Sequence, residues 1–230
     1  MAKTKLRWTF PPTIFTWTVL PSELARTHQE TTRPLVLHNC LYGYNEQGTL
    51  VKTLYCTRSV RFFTHDNDGW HEQLPDTNRV RRGKKNKSPK AGGNFDTACM
   101  PHFGSAKCYR LIAYAFCEWP EEAKTDPLWY KHYEVDHLNG DHSDNSPDNL
   151  RWLTPIANRA WAKRQSAMRK LGLDLRHIPY NLLRLISDLT DRQFADWLIV
   201  LPHLMDCDER PMSIETINDD IRQALNDLTI

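Results

Sequence analysis

Tyr133-Glu134-Val135-Asp136-His137-Leu138-Asn139-Gly140, followed after a polar loop by Asn149-Leu150-Arg151-Trp152-Leu153-Thr154, is the stretch that decides the fold of this chain. Apolar and charged residues alternate into Asp136, and Asn139-Gly140 is a strong turn signal, which predicts a strand ending at an Asp-His pair. The loop Asp141-His142-Ser143-Asp144-Asn145-Ser146-Pro147-Asp148 has the composition of turns. Leu150, Trp152 and Thr154 alternate with Arg151 and Leu153 as a return strand. Pro155 suits the first position of a helix, and residues 157–170 are mostly good helix formers. The expectation is strand, strand and helix, with Asn158 in the first helical turn facing back to the strand that carries Asp136.

These residue types suit one chemistry. A neutral imidazole can take a proton from water near neutral pH, so His137 is the candidate base. Its second ring nitrogen has to be held to fix the tautomer, by a strand carbonyl or by the amide of Asn149. Asp136 offers a hard anionic oxygen and Asn158 a neutral amide oxygen. Magnesium accepts such a pair together with waters and a substrate phosphate. Such groups can serve a phosphodiester together with a water-activating base and a hard metal, one Mg²⁺ or Mn²⁺ per site, whose task would be to stabilise the leaving oxygen. Taken singly, each residue has an ordinary role: a solvated pair, a strand-edge amide, a helix-start residue. In this order and spacing they point to a site.

The stretch resembles the HNH nuclease signature, in the form found in phage and intron-encoded homing endonucleases. There an Asp-His pair precedes an Asn-rich loop, an Asn-Leu-Arg-Trp strand and a final Asn on the helix. The resemblance implies a ββα-metal module, with His137 and Asn149 as catalytic residues and Asp136 and Asn158 as metal ligands. It extends upstream to Tyr109-Arg110-Leu111-Ile112-Ala113-Tyr114-Ala115-Phe116, similar to the short helix that precedes the catalytic hairpin in this family. The family's leading His is Tyr109 here, so no role is carried over to it. Leu111, Ile112, Ala115, Phe116 and Trp119 fall at helical spacing and read as core. The segment from Glu118 to His132 is longer than the family's usual linker. The similarity covers about residues 93–165.

A chain of 230 residues can bury a substantial core. Its 40% apolar and 25% charged residues place it among soluble globular proteins. No apolar run reaches membrane-spanning length, and Pro11-Pro12 interrupts any signal-like segment. The cysteines at 40, 56, 99, 108, 117 and 207 form no Cys-x-x-Cys pair, so reduced thiols in a cytoplasmic protein are expected rather than a zinc site, with Cys108 and Cys117 buried.

Charge is segregated along the chain. Residues 79–90 carry seven positive charges and no acid: Arg79, Arg81, Arg82, Lys84, Lys85, Lys87 and Lys90. Residues 159–177 add six positive charges against Asp174 alone, whereas residues 178–230 hold ten acids and four bases. A charge run can be a solvated loop or a localisation signal. Two of them flanking a phosphodiesterase motif favour binding to the phosphates of double-stranded DNA. The expected DNA-binding residues are Arg79, Arg81, Arg82, Lys84, Lys85 and Lys87 from the first run. On the helix, Lys163 and Arg164 are joined by Arg169 and Lys170 on neighbouring turns.

The expected architecture is α+β in three parts. Residues 1–92 are β-rich, with strands at 13–20, 35–40, 50–56 and 59–64 and a loop at His65-Asp66-Asn67-Asp68. Trp8 and Trp70 read as packing residues. Residues 93–172 hold the HNH module. Residues 173–230 form an acidic helical region in which Pro179 begins one helix and Asp191 caps another that Pro202 stops. A last helix opens at Ser213 with Ile214, Ile217, Ile221, Leu225 and Leu228 on one face. That region could pack on the body, dimerise or bind a protein partner. The favoured function is a metal-dependent DNA endonuclease of nicking or homing type. The competing readings are a DNA-binding protein that keeps the HNH fold without turnover, and a defence or toxin nuclease.

Overall fold

The computed structural model describes residues 6–19, 24–25, 34–76, 98–206 and 214–227. It is mixed α and β, its sheets antiparallel. The chain gathers into two compact units, one of residues 1–131 and 142–152, the other of residues 132–141 and 153–230. The Asp-His strand therefore belongs to the second unit and the polar loop, from His142 on, to the first.

The first unit is built on a six-stranded sheet. Its strands are β1 (Arg7–Thr9), β2 (Thr16–Val19), β3 (Leu35–Tyr44), β4 (Leu50–Cys56), β5 (Phe62–Asp66) and β6 (Gly69–Gln73). They run in the order β1-β3-β4-β5-β6, and β2 pairs with the first half of β3. The β3–β4 register shifts at Asn39/Leu41 and again at Gly43/Tyr44. At the first shift the buried Asn39 side chain donates to the Thr13 carbonyl and accepts from the Phe15 amide, fixing the segment that leads into β2.

Two strand expectations are corrected. β3 runs to Tyr44 rather than stopping at Cys40, because the bulge lets it continue against both β1 and β4. Of the loop expected at His65–Asp68, His65 and Asp66 end β5 and only Asn67-Asp68 form the turn of a hairpin. Its second strand, β6, has the sequence Gly-Trp-His-Glu-Gln, too polar to show alternation, and Trp70 packs beside Tyr55 and His65.

A short pair, β7 (Cys99–Met100) and β8 (Ala106–Lys107), leads into α1 (Cys108–Phe116). α1 follows the expected apolar spacing, and Leu111, Ile112 and Ala113 are fully buried. Trp8 packs on Phe103 and lies against Gly43, where a Cβ would come within 2.7 Å of its ring. Residues 118–131 are not a slack linker. Trp119 and Trp129 stack around Tyr114, and the Trp119 indole donates to the Tyr114 carbonyl.

The cysteines 40, 56, 99 and 108 are buried free thiols; Cys108 is buried as expected, whereas Cys117 is only half-buried. Burial pushes Cys40 well upward and Cys108 to about 12, so both behave as apolar residues.

The second unit begins with β9 (Glu134–His137) and takes up again at Leu153, the last residue of β10 (Leu150–Leu153). α2 (Pro155–Lys170) follows, then α3 (Tyr180–Asp188), α4 (Asp191–Asp206) and α5 (Ile214–Asp227). Leu138, immediately after β9, is wholly buried in a cluster with Trp161 and Met168 of α2, Leu182 and Ile186 of α3, Trp197 of α4 and Ile221 and Leu225 of α5. The C-terminal helices thus pack around the residue that follows the Asp-His pair.

Two helix boundaries differ from expectation. Thr190, not Asp191, caps α4: its hydroxyl accepts from the Gln193 amide, and the Gln193 side chain accepts the Thr190 amide in return. α4 also runs through Pro202 to Asp206. A proline removes one amide bond, which a helix anchored by buried Phe194 and Trp197 tolerates. The basic run at residues 79–90 and Leu228 lie outside the described residues.

Candidate active site

In β9 the side chains alternate, so Glu134 and Asp136 share one face and Val135 and His137 the other. Asp136 is 7% exposed and His137 3%, while Glu134 is open to solvent. The strand ends at His137, and the carbonyls there need partners from outside a sheet.

α2 supplies them. Thr154, expected as the end of the return strand, instead caps this helix by accepting from the Ala157 amide at 3.3 Å, with Pro155 at the first helical position. From that fixed start, positions 158, 161, 165 and 169 fall on one face, spaced by three and four residues. The Trp161 indole donates to the Leu138 carbonyl at 3.3 Å. The buried Gln165 amide donates to the carbonyls of His137 at 3.0 Å and Leu138 at 2.9 Å. Arg169 reaches the Asn139 carbonyl at 3.3 Å. Asn158 donates its side-chain amide to a carboxylate oxygen of Glu134 at 2.7 Å.

The turn after the strand is equally constrained. The Gly140 amide donates to the His137 carbonyl at 2.8 Å, and the Asn139 side chain accepts from the Asp141 amide. Gly140 has φ +70°, and a Cβ there would collide with the Arg169 guanidinium.

Asp136, His137 and Asn158 thus fall in one unit, on a strand and helix tied by hydrogen bonds. Asn149 falls in the other unit. Its side chain is fully buried and its amide donates to the Asp144 carbonyl at 2.8 Å, closing the polar loop. Trp152 of β10 donates its indole proton to the Ala113 carbonyl of α1.

Arg164, one of the expected DNA-binding residues, has partners within its own unit. The Arg164 guanidinium is turned into its own unit, donating to the carbonyls of Ile186 and Ser187 and to the Asp191 carboxylate. Those carbonyls lie in the last turn of α3, where a helix leaves acceptors unmet, and a cation there also complements the dipole. The Arg164 side chain is only 14% exposed and stacks over Phe194. Lys163 is exposed, as are Arg159 and Lys170 on the same stripe of α2.

Glu134, Trp161, Gln165 and Arg169 join the site without having been expected there. For Trp161, Gln165 and Arg169 the signal in the sequence is their spacing along α2 in phase with Asn158, and for Glu134 it is its place two residues before Asp136.

Residues 119–160 match the family model described as HNH endonuclease. The chain carries an HNH endonuclease segment. That segment opens at Trp119, inside the aromatic cluster on α1, and closes at Ala160, just beyond Asn158. It includes Asp136, His137, Asn149 and Asn158, and it implies nuclease action with DNA as substrate. No curated protein and no solved structure gives a match to the chain. Among the described residues no three His, Cys, Asp or Glu side chains converge as a metal cage. No described helix is long and apolar enough to cross a membrane.

Proposed function

We propose that this chain is a metal-dependent DNA endonuclease whose reacting groups are Asp136, His137 and Asn158. The observation that carries the reading is the grip of one α2 face on the end of β9, with Asn158 on that same face. Catalytic side chains must be held to a fraction of an ångström, and a strand end pinned through successive carbonyls meets that demand. The order β9, β10, α2 supports a ββα module.

In this reading His137 takes the proton from the attacking water, and Asp136 and Asn158 hold Mg²⁺ or Mn²⁺. When bound, such an ion neutralises charge on the phosphate and stabilises the departing oxygen. The donor set fits. One carboxylate and one amide oxygen are hard ligands, and magnesium completes its shell with water and phosphate rather than an all-protein cage. One base per chain implies one strand cut per encounter, by a nicking or homing-type enzyme of phage or mobile-element origin. A double-strand break then needs a second copy or a second encounter.

Supercoiled plasmid incubated with the pure protein and Mg²⁺ or Mn²⁺ tests this. Open-circular product is expected, lost on adding chelator and lost in His137→Ala. A gel shift without product under either ion would make the chain a binding module instead.

A further inference from the structure

We infer that Glu134 is a positioning residue that sets which face of the Asn158 amide is offered to the metal. The inference rests on the proposed role of Asn158 as a ligand. A carboxylate at neutral pH has only acceptor oxygens, so the atom of Asn158 that meets Glu134 Oε2 at 2.7 Å must be Nδ2, a donor. The amide is planar, and its Oδ1 is therefore turned away from Glu134. Only that oxygen can ligate a hard cation; the NH₂ group would repel it.

Asparagine's terminal torsion is broad and roughly two-fold, so without a partner the two amide faces are close in energy. Glu134 removes that degeneracy. Its place on the strand explains why it can do so: it stands two residues before Asp136 on the same side of β9. Glu134 is itself exposed, so its bond to Asn158 serves no core that would require it. A partner that orients a ligand typically accounts for about 10- to 100-fold in metal affinity.

The test measures Mn²⁺ binding to the full chain without DNA, by the loss of the free-ion paramagnetic resonance signal. Glu134→Gln is expected to weaken binding about tenfold. Asn158→Asp supplies an oxygen on both faces, so orientation no longer matters in that background. There Glu134→Gln should cost nothing, and should strengthen binding by removing a neighbouring like charge. Weakening in both backgrounds would overturn the inference and make Glu134 a direct ligand. Unchanged binding in Glu134→Gln, while Asp136→Ala still loses the ion, would overturn it and leave the site standing. Wild-type binding insensitive to Asp136→Ala would overturn the metal reading itself, and this inference with it.

Discussion

The side-chain amide nitrogen of Gln165 lies 3.0 Å from the main-chain carbonyl oxygen of His137. The same carbonyl accepts the Gly140 amide, so both of its lone pairs are used and the residue carrying the candidate base is fixed from the helix and from the turn. Gln165→Leu keeps the apolar bulk and removes the donor. Leaving buried carbonyls short of a partner costs about 1–3 kcal/mol, read as a lower midpoint in denaturant unfolding. Cleavage should fall further than the reduced folded fraction explains, since His137 is loosened. Full activity from the folded variant would show that the strand end needs no such support.

His137→Ala should abolish cleavage while DNA affinity, measured by gel shift, is retained, because the base acts only in the chemical step. Asp136→Ala and Asn158→Ala should each slow metal-dependent turnover. Asp136→Ala should be the more severe, since Asp136 supplies charge and Asn158 only a dipole. Product formation in excess chelator would remove the ion from the mechanism.

The candidate catalytic strand and its helix are legible in the sequence because their signals are local. Alternation into Asp136, the Asn-Gly turn and Pro155 depend on nothing distant, and β9, β10 and α2 stand where those signals put them. The grip of α2 on β9 is not legible. Trp161 and Gln165 read as ordinary helix residues, and Arg169 as part of a basic stripe, until their partners are known, and those partners are main-chain carbonyls, which carry no sequence identity. The partners of Arg164 are hidden for a similar reason. Its charge is visible in the sequence, but the unmet carbonyls of α3 that claim it belong to residues more than twenty positions away. The polar strand β6 escapes because an edge strand need not alternate.

Stability of the first unit should depend on pH through His38. Its ring packs edge-on against Phe116 at 4.6 Å, and its Nδ1 is buried with no hydrogen-bond partner among the described residues. Burial lowers its pKa below the ordinary value of 6.5. As pH falls through 6.5 the unfolded chain gains a proton that the folded chain does not, so stability declines until the lower folded pKa is reached. Above pH 6.5 this contribution is fully present. The difference in unfolding midpoint between wild type and His38→Leu should therefore change between pH 7.5 and pH 5.5, a window set on either side of the free imidazole value of about 6.5. A constant difference would mean that the ring protonates freely in the fold.

Arg164 and Lys163 are neighbours in sequence with opposite expected phenotypes. Arg164→Ala strips the last turn of α3 of its charged donor, and hydrogen bonds to charged groups are worth about 1.5–3 kcal/mol. The variant should unfold at lower denaturant, yet at temperatures where it is folded its DNA affinity should match wild type. Lys163 is exposed on a stripe with Arg159 and Lys170. Neutralising those three together should leave the unfolding midpoint nearly unchanged and weaken DNA binding about equally across sequences, because ion pairs with phosphates carry no base information. The slope of log affinity against log salt should flatten by close to one unit for each phosphate no longer neutralised. Wild-type affinity and slope in the triple variant would place the DNA track elsewhere on the chain. Weakened DNA binding by folded Arg164→Ala would show that its guanidinium leaves α3 to meet the phosphates.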